Sequence, residues 1–234
     1  MNSNKFDIFF NIDSTSISIG IFNSQTNKNI FLETHNCVTN INNLDINFNQ
    51  LESILEKKIF EIEKITKNFL NEVYLMIETD YSNSIGLSLF KDNEDNPLQK
   101  KDILYLIQDA RQQILRVNKN QTIIHILIAK YIIDQNDYDT LPLNKKCKNF
   151  SLDIKFILMP DFLLKKIKEI FIKNHIFVKK ILCTTYVKSN DNISKNILQS
   201  GYDLVKGKNK QEVEIVPKKP EKEGFFERLF NIIR

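Results

Sequence analysis

The three histidines, His35, His125 and His175, are the side chains best suited to move a proton or hold a metal near neutral pH, and their placement argues against both. They lie in separate segments, and His125 sits among Ile and Leu in an apolar run, the setting of a buried core histidine. Asp134, Asp137 and Asp139 resemble part of a calcium loop. No glycine or closing Glu follows at the spacing that such a loop requires, so a solvated acidic loop is the expectation. Ser14, Ser16 and Cys37 have no neighbouring His or acid pattern that would activate a nucleophile. Cys37, Cys147 and Cys183 are odd in number, far apart and without CxxC spacing, which supports neither a metal site nor a disulfide. A reducing cytosol is the default for such a chain.

The chemistry that does stand out belongs to the last eleven residues, Gly224 to Arg234. Wound at about 100° per residue, Phe225, Phe226, Leu229, Phe230, Ile232 and Ile233 share an arc of roughly 160°. Glu227, Arg228, Asn231 and Arg234 fill the opposite side. At about 1.5 Å per residue the segment reaches about 16 Å, half of a hydrocarbon core. It cannot span a bilayer, but it can lie in the interface with its apolar face down. Arg228 and Arg234 add about 1 kcal/mol each of attraction to anionic lipid. The stretch 206–223 before it is rich in Lys and Glu, holds Pro217 and Pro220, and reads as a flexible linker. A membrane tether is the reading, with docking of the helix onto its own body as the bland alternative.

Composition bounds the rest. At 234 residues and 42% hydrophobic content, with 17 Phe, the chain has the material for a substantial core. A net charge of +4, from 33 basic and 29 acidic residues, comes with no basic block before the tail, and nucleic acid is not an expected partner. No segment has the features of a signal peptide or of a transmembrane helix. The expected location is cytoplasmic, with peripheral contact at the inner face of the cell membrane.

The elements follow from periodicity. Phe6–Ile12 and Ile17–Phe22 read as strands around the turn Asp13-Ser14-Thr15-Ser16, with Ile30–Leu32 as a third. Leu51, Ile54, Leu55, Ile59, Ile62, Ile65 and Phe69 mark a helix from Phe48 to Phe69. Strands are expected at Val73–Ile77 and Ser84–Phe90, a loop at Asp92–Pro97, a helix at Lys101–Val117, strands at Ile123–Ile133 and Leu152–Leu158, a helix from Pro160 to Asn174, and a strand at Phe177–Cys183. A short helix is placed around Asn192–Leu204. No internal repeat is present.

This order resembles the first lobe of the bacterial cell-division protein family FtsA, an actin-like ATPase fold with an inserted subdomain called 1C or SHS2. Val73-Tyr74-Leu75-Met76-Ile77 resembles the strand opening that subdomain. Ile123-Ile124-His125-Ile126-Leu127 with Tyr131 to Asp134 resembles its "LHxxPxxFxVD" strand. Pro142-Leu143 and then Leu152-Asp153-Ile154-Lys155-Phe156-Ile157 resemble the run that follows, and Thr184-Thr185-Tyr186-Val187 the re-entry into the lobe. The pilus-assembly family PilM shares the architecture and is the nearest competitor; the terminal helix favours FtsA.

The resemblance implies an α/β (α+β) fold: a partial actin-like (ribonuclease H-like) lobe at 1–72 and 184–205, and an SHS2-type subdomain at 73–183. The linker 206–223 and an amphipathic helix at 224–234 follow. It places strands at Val73, Ile123, Leu152 and Phe177 in one subdomain with two helices on one face, the helix at Lys101–Val117 burying Leu104, Ile107 and Ile114. Where the family reads Asp-Ile-Gly-Thr-Thr/Ser-Lys for its first phosphate turn, this chain reads Asn11-Ile12-Asp13-Ser14-Thr15-Ser16. Phosphate turns need close approach of backbone amides, hence glycine. Here a vestigial turn, Asp13, Ser14 and Thr15, offers a negative charge where a cation is wanted. No cofactor, no metal and no ATP hydrolysis are expected. The implied role is a non-catalytic division adaptor that contacts divisome proteins and copies of itself through the 1C-like part and an anionic membrane through its tail. The family's FtsZ-docking surface lies in a second lobe without counterpart here, so direct FtsZ binding is not expected. The alternatives are a PilM-like pilus or secretion adaptor, or an actin-like ATPase with a missing lobe.

Overall fold

The first twenty-odd residues set the frame of the molecule: both opening strands are buried almost end to end, even at the polar Asp7, Asn11 and Ser18 that interrupt their apolar runs, as strands covered on two faces are. In the computed structural model, which describes residues 5–37, 46–190, 196–208 and 211–213, β1 (Phe6–Ile12), β2 (Ser16–Asn23) and β3 (Lys28–Asn36) form an antiparallel meander. The chain then crosses through α1 (Phe48–Thr66) to β4 (Glu72–Ile77), parallel to β1. Asn47 opens α1 as an N-cap, its side chain accepting from the Gln50 N–H, and Lys67 in the left-handed conformation closes it.

From β4 the chain leaves to build a second, antiparallel sheet. It contains β5 (Asn83–Pro97), β6 (Gln121–Ile133), β7 (Asn136–Tyr138) and β8 (Lys146–Pro160), in the order β5-β8-β6-β7. One helix, α2 (Lys100–Val117), is held at its start by reciprocal Gln99 and Asp102 capping bonds. It buries Ile103, Ile107, Ala110 and Ile114 against Phe150, Leu152, Ile154 and Phe156. The chain then returns through α3 (Asp161–Lys173) to β9 (Phe177–Cys183), parallel to β4, which completes a five-stranded sheet of order β3-β2-β1-β4-β9. Two short helices, α4 (Thr184–Ser189) and α5 (Ile197–Asp203), follow, and a kinked turn over Leu204–Lys208 carries Gly207 at φ 85°.

The large sheet is the middle of three layers. Phe10 meets Phe171 of α3 edge to face on one side, whereas Phe9 lies against Phe22, Tyr74 and Tyr202 of α5 on the other. Neighbouring residues on one strand thus serve opposite faces.

The structure moves one expected boundary. The strands at Val73 and Phe177 pair within the five-stranded sheet, while those at Ile123 and Leu152 pair within the four-stranded one. The four strands do not share one sheet. Read from strand pairing, the second sheet covers β5 to β8, because β4 pairs with β1 and β9 pairs with β4. The two helices likewise divide: α2 covers the small sheet, and α3 packs into the core of the large one. Leu104, expected in the core, is 40% exposed, since α2 turns Ile103 and Ile107 inward and leaves Leu104 on its flank. The expected loop at Asp92–Pro97 stays paired with β8 around a bulge. Periodicity also missed α4, which is too short to show one.

Candidate functional site

In open sheets with parallel strands, ligands collect outside the carboxyl ends of those strands. Here the three carboxyl ends, after Ile12, Ile77 and Cys183, meet at one cleft of about 320 Å³. Asp13, Ser14, Thr15, Glu78, Thr79, Asp80 and Lys188 line it. The turn Asp13-Ser14-Thr15 therefore stands at the place in the fold where ligands generally collect.

Its geometry is that of a self-satisfied hairpin. Asp13 Oδ1 accepts from the Thr15 N–H at 2.8 Å, the Ser16 N–H at 2.7 Å and the Thr15 hydroxyl at 2.8 Å, and Oδ2 accepts from the Ser16 hydroxyl at 2.8 Å. The Asp13 N–H donates to the Ser16 carbonyl, and the Cys37 N–H closes the turn onto the Thr15 carbonyl. Burial by itself would raise the Asp13 carboxyl, but the hydroxyl and amide donors of Thr15 and Ser16 outweigh it and hold the group below the ordinary carboxylate range. The amides that could cradle a phosphate already cradle a carboxylate of their own chain.

The rest of the cleft is also spoken for. Asn11 is 4% exposed and accepts from the buried Thr184 hydroxyl at 2.8 Å, tying β1 to the start of α4. Lys188, the one cation among the described lining residues, donates to both carboxylate oxygens of Glu78 at 2.7 Å each. The described lining residues include three carboxylates, Asp13, Glu78 and Asp80, against the single cation Lys188, a formal excess of negative charge that is unfavourable ground for a polyphosphate.

The remaining sequence candidates do not join this site. His125 is buried at 1% exposure between the two sheets, His35 lies on β3 within 3.2 Å of Glu33, and His175 sits in the turn after α3. Asp134 holds the β6–β7 turn, its Oδ1 accepting from the Lys148 and Asn149 N–H groups, and Asp137 pairs with Lys130. Among the described residues no group of three or more His, Cys, Asp or Glu side chains is arranged to hold a metal ion. No helix among them is long and apolar enough to cross a membrane. The tail residues Phe225, Phe226, Arg228, Leu229, Phe230, Ile232, Ile233 and Arg234 lie outside the described residues.

Sequence reasoning found the turn but missed Glu78, Asp80, Thr184 and Lys188. The signal was available: each lies just after a predicted strand, Val73–Ile77 or Phe177–Cys183. What was lacking was the knowledge that those two strands and β1 are neighbours.

No protein-family model matches the sequence, and no curated protein matches it. Among solved structures the chain is similar to the PilM–PilN type IV pilus biogenesis complex, at 6% identity and a TM-score of 0.47 over 77% of this chain and 48% of that one. It is similar to the cytoplasmic domain of EpsL, an inner membrane component of the type II secretion system of Vibrio cholerae, at 10% identity and a TM-score of 0.36 over 77% and 57%. A Bacteroides thetaiotaomicron protein with an actin-like ATPase fold and unknown function gives 12% identity and a TM-score of 0.36 over 80% and 56%. The chain spans about half the length of these structures.

Proposed function

We propose that this chain is a non-catalytic adaptor: a two-sheet body that binds other proteins, with residues 224–234 as a peripheral membrane tether. The observation that carries the reading is the Asp13 carboxylate. It takes the backbone and hydroxyl donors of its own turn, so a phosphate would have to displace a bonded anion from a cleft that is already acidic.

Of the possible settings, assembly of a pilus or secretion machine is favoured over cell division. The division reading rested on the terminal helix at 224–234, which lies outside the described residues, and the strands it expected in one inserted subdomain, at Val73, Ile123, Leu152 and Phe177, sit in two sheets. Two of the three solved structures named above come from a pilus and a secretion system, which is what supports this setting. Inspection of the neighbouring genes separates the settings: pilus or secretion genes support this one, and division genes would restore the other.

The test of the adaptor reading is nucleotide binding by the purified protein. Calorimetry and thermal unfolding with millimolar Mg-ATP are expected to show no heat of binding and no change in Tm. A rise in Tm with Mg-ATP that disappears in Asp13→Ala or Ser14→Ala would overturn it.

A further inference from the structure

Residues 211–213 lie along β6. The Ile128 N–H donates to the Gln211 carbonyl at 2.8 Å, and the Val213 N–H to the Ile126 carbonyl at 2.9 Å. Leu127 and Glu212 form an antiparallel bridge between them. This short segment adds a strand to the edge of β6 beyond the stretch that β7 covers, which spans only Tyr131–Ile133.

An exposed edge contact would leave Glu212 in solvent. Instead its side chain is 8% exposed and enters the junction between the two sheets, with Oε1 2.8 Å from His125 Nδ1 and 3.4 Å from Lys180 Nζ. The other ring nitrogen, Nε2, accepts from the Cys183 N–H at 2.9 Å. An N–H can donate only to an unprotonated nitrogen, so the ring proton resides on Nδ1 and is donated to Glu212. His125 is thus a pin with two ends. It stands on β6 of the small sheet, one end takes the last amide of β9 in the large sheet, and the other is held by Glu212. Its ring lies 4.6 Å from that of Tyr186 on α4.

Burial on its own would raise the Glu212 carboxyl; His125 and Lys180 outweigh that and hold it below the ordinary range. The carboxylate therefore stays charged at neutral pH, and it is the group that orients the imidazole. Remove it, and the buried Nδ1–H loses its acceptor, an arrangement costly enough to favour turning the ring and surrendering the Cys183 bond.

We infer that residues 211–213 are a strap that locks the four-stranded sheet against the five-stranded one through Glu212 and His125, so that peeling the strap loosens the junction. The strap leads in sequence into residues 214–234, so a pull from that side loads the Val213–Ile126 bond and then Glu212. By reciprocity, whatever opens the junction also weakens the strap's hold. The inference does not depend on the adaptor reading, since nucleotide binding has no bearing on it.

Amide hydrogen exchange on the full chain tests this with two reporters, Ile128 for the strap and Cys183 for the pin. In Glu212→Ala both amides are expected to exchange about tenfold faster or more, the scale of one lost charge-assisted hydrogen bond, while amides of β1 and β2 keep their protection. In Glu212→Gln, whose amide oxygen can still accept from Nδ1–H, Cys183 is expected to remain closer to the parent than to the alanine variant. A chain ending at Lys208 supplies an independent arm and is expected to reproduce the paired loss. The inference is overturned if Cys183 stays protected when Ile128 is freed, if Gln behaves as Ala at Cys183, or if β1 amides accelerate by the same factor.

Discussion

Asp13 and Asp134 are both acids that a motif reader would examine for chemistry, and both are turned back onto their own backbone. Each carboxylate accepts from two consecutive amides, Asp13 from those of its own turn, as Asp stabilises turns generally, and Asp134 from those of Lys148 and Asn149 on β8. For Asp13 the consequence for pH is calculable in sign. Its folded pKa lies below the unfolded value of about 3.9, so the ionised form is favoured by folding. The stabilisation is fully present above that unfolded value and disappears as pH falls through the depressed folded value. The difference in urea midpoint between the parent and Asp13→Ala is therefore expected to be constant from pH 7 to about pH 5 and to shrink as the solution is taken below about pH 4. A difference that stays the same to pH 2 would show that the carboxylate's charge is not what holds the turn.

Helix α5 shows how a single element is seated. Gly201 lies against β4 so closely that an added Cβ would fall 2.4 Å from Met76 Sδ, and Met76 is fully buried. Alanine improves helix propensity by about 1 kcal/mol, but forcing a buried thioether aside costs typically about 1–3 kcal/mol. Gly201→Ala is expected to lower stability, whereas Gly86→Ala on β5, where an added Cβ meets nothing within 4 Å, is expected to raise it slightly. Chemical denaturation of the two variants checks both signs. Tyr202, the next residue of α5, stacks on Phe22 with ring centroids 4.5 Å apart and donates to Asn27 Oδ1 at 2.7 Å. Overpacking at Gly201 should therefore also disturb the far end of the β2–β3 hairpin.

At the scale of the whole molecule, the body and the tail are expected to be energetically separable. Deleting residues 224–234, or changing Phe226 and Phe230 to Asp, should abolish sedimentation with anionic liposomes and leave the Tm of the body nearly unchanged. Each buried Phe or Ile contributes at most about 1.5–3 kcal/mol, and folding at the interface takes back part of it. Losing two such side chains then drops a marginal anchor below useful affinity, while several tethered copies would gain from avidity. Arg228→Glu should act more mildly and mainly at low salt, because surface charge is screened over about 8–10 Å. A fall in Tm with unaltered liposome binding would place the helix on its own domain instead.

Much of the architecture was legible in the chain. The period-two and unbroken apolar runs of β1, β2, β4 and β9 and the 3.6-residue rhythm of α1, α2 and α3 are local signals, set by which faces of each element must leave water. So were the turn at Asp13 and its lack of glycine. Neighbourhood was not legible. Nothing in the run Val73–Ile77 says that it will pair with Phe6–Ile12 rather than with Ile123–Ile133, since parallel and antiparallel partners demand the same apolar strand and the choice is made by the whole core. For the same reason the acidic lining of the cleft, with Glu78 and Lys188 closing on each other 110 positions apart, exists only once the strands are side by side. The burial of Glu212 on His125, 87 positions away, belongs to the same class: a charge in a short polar segment reads as solvated until folding supplies both of its partners.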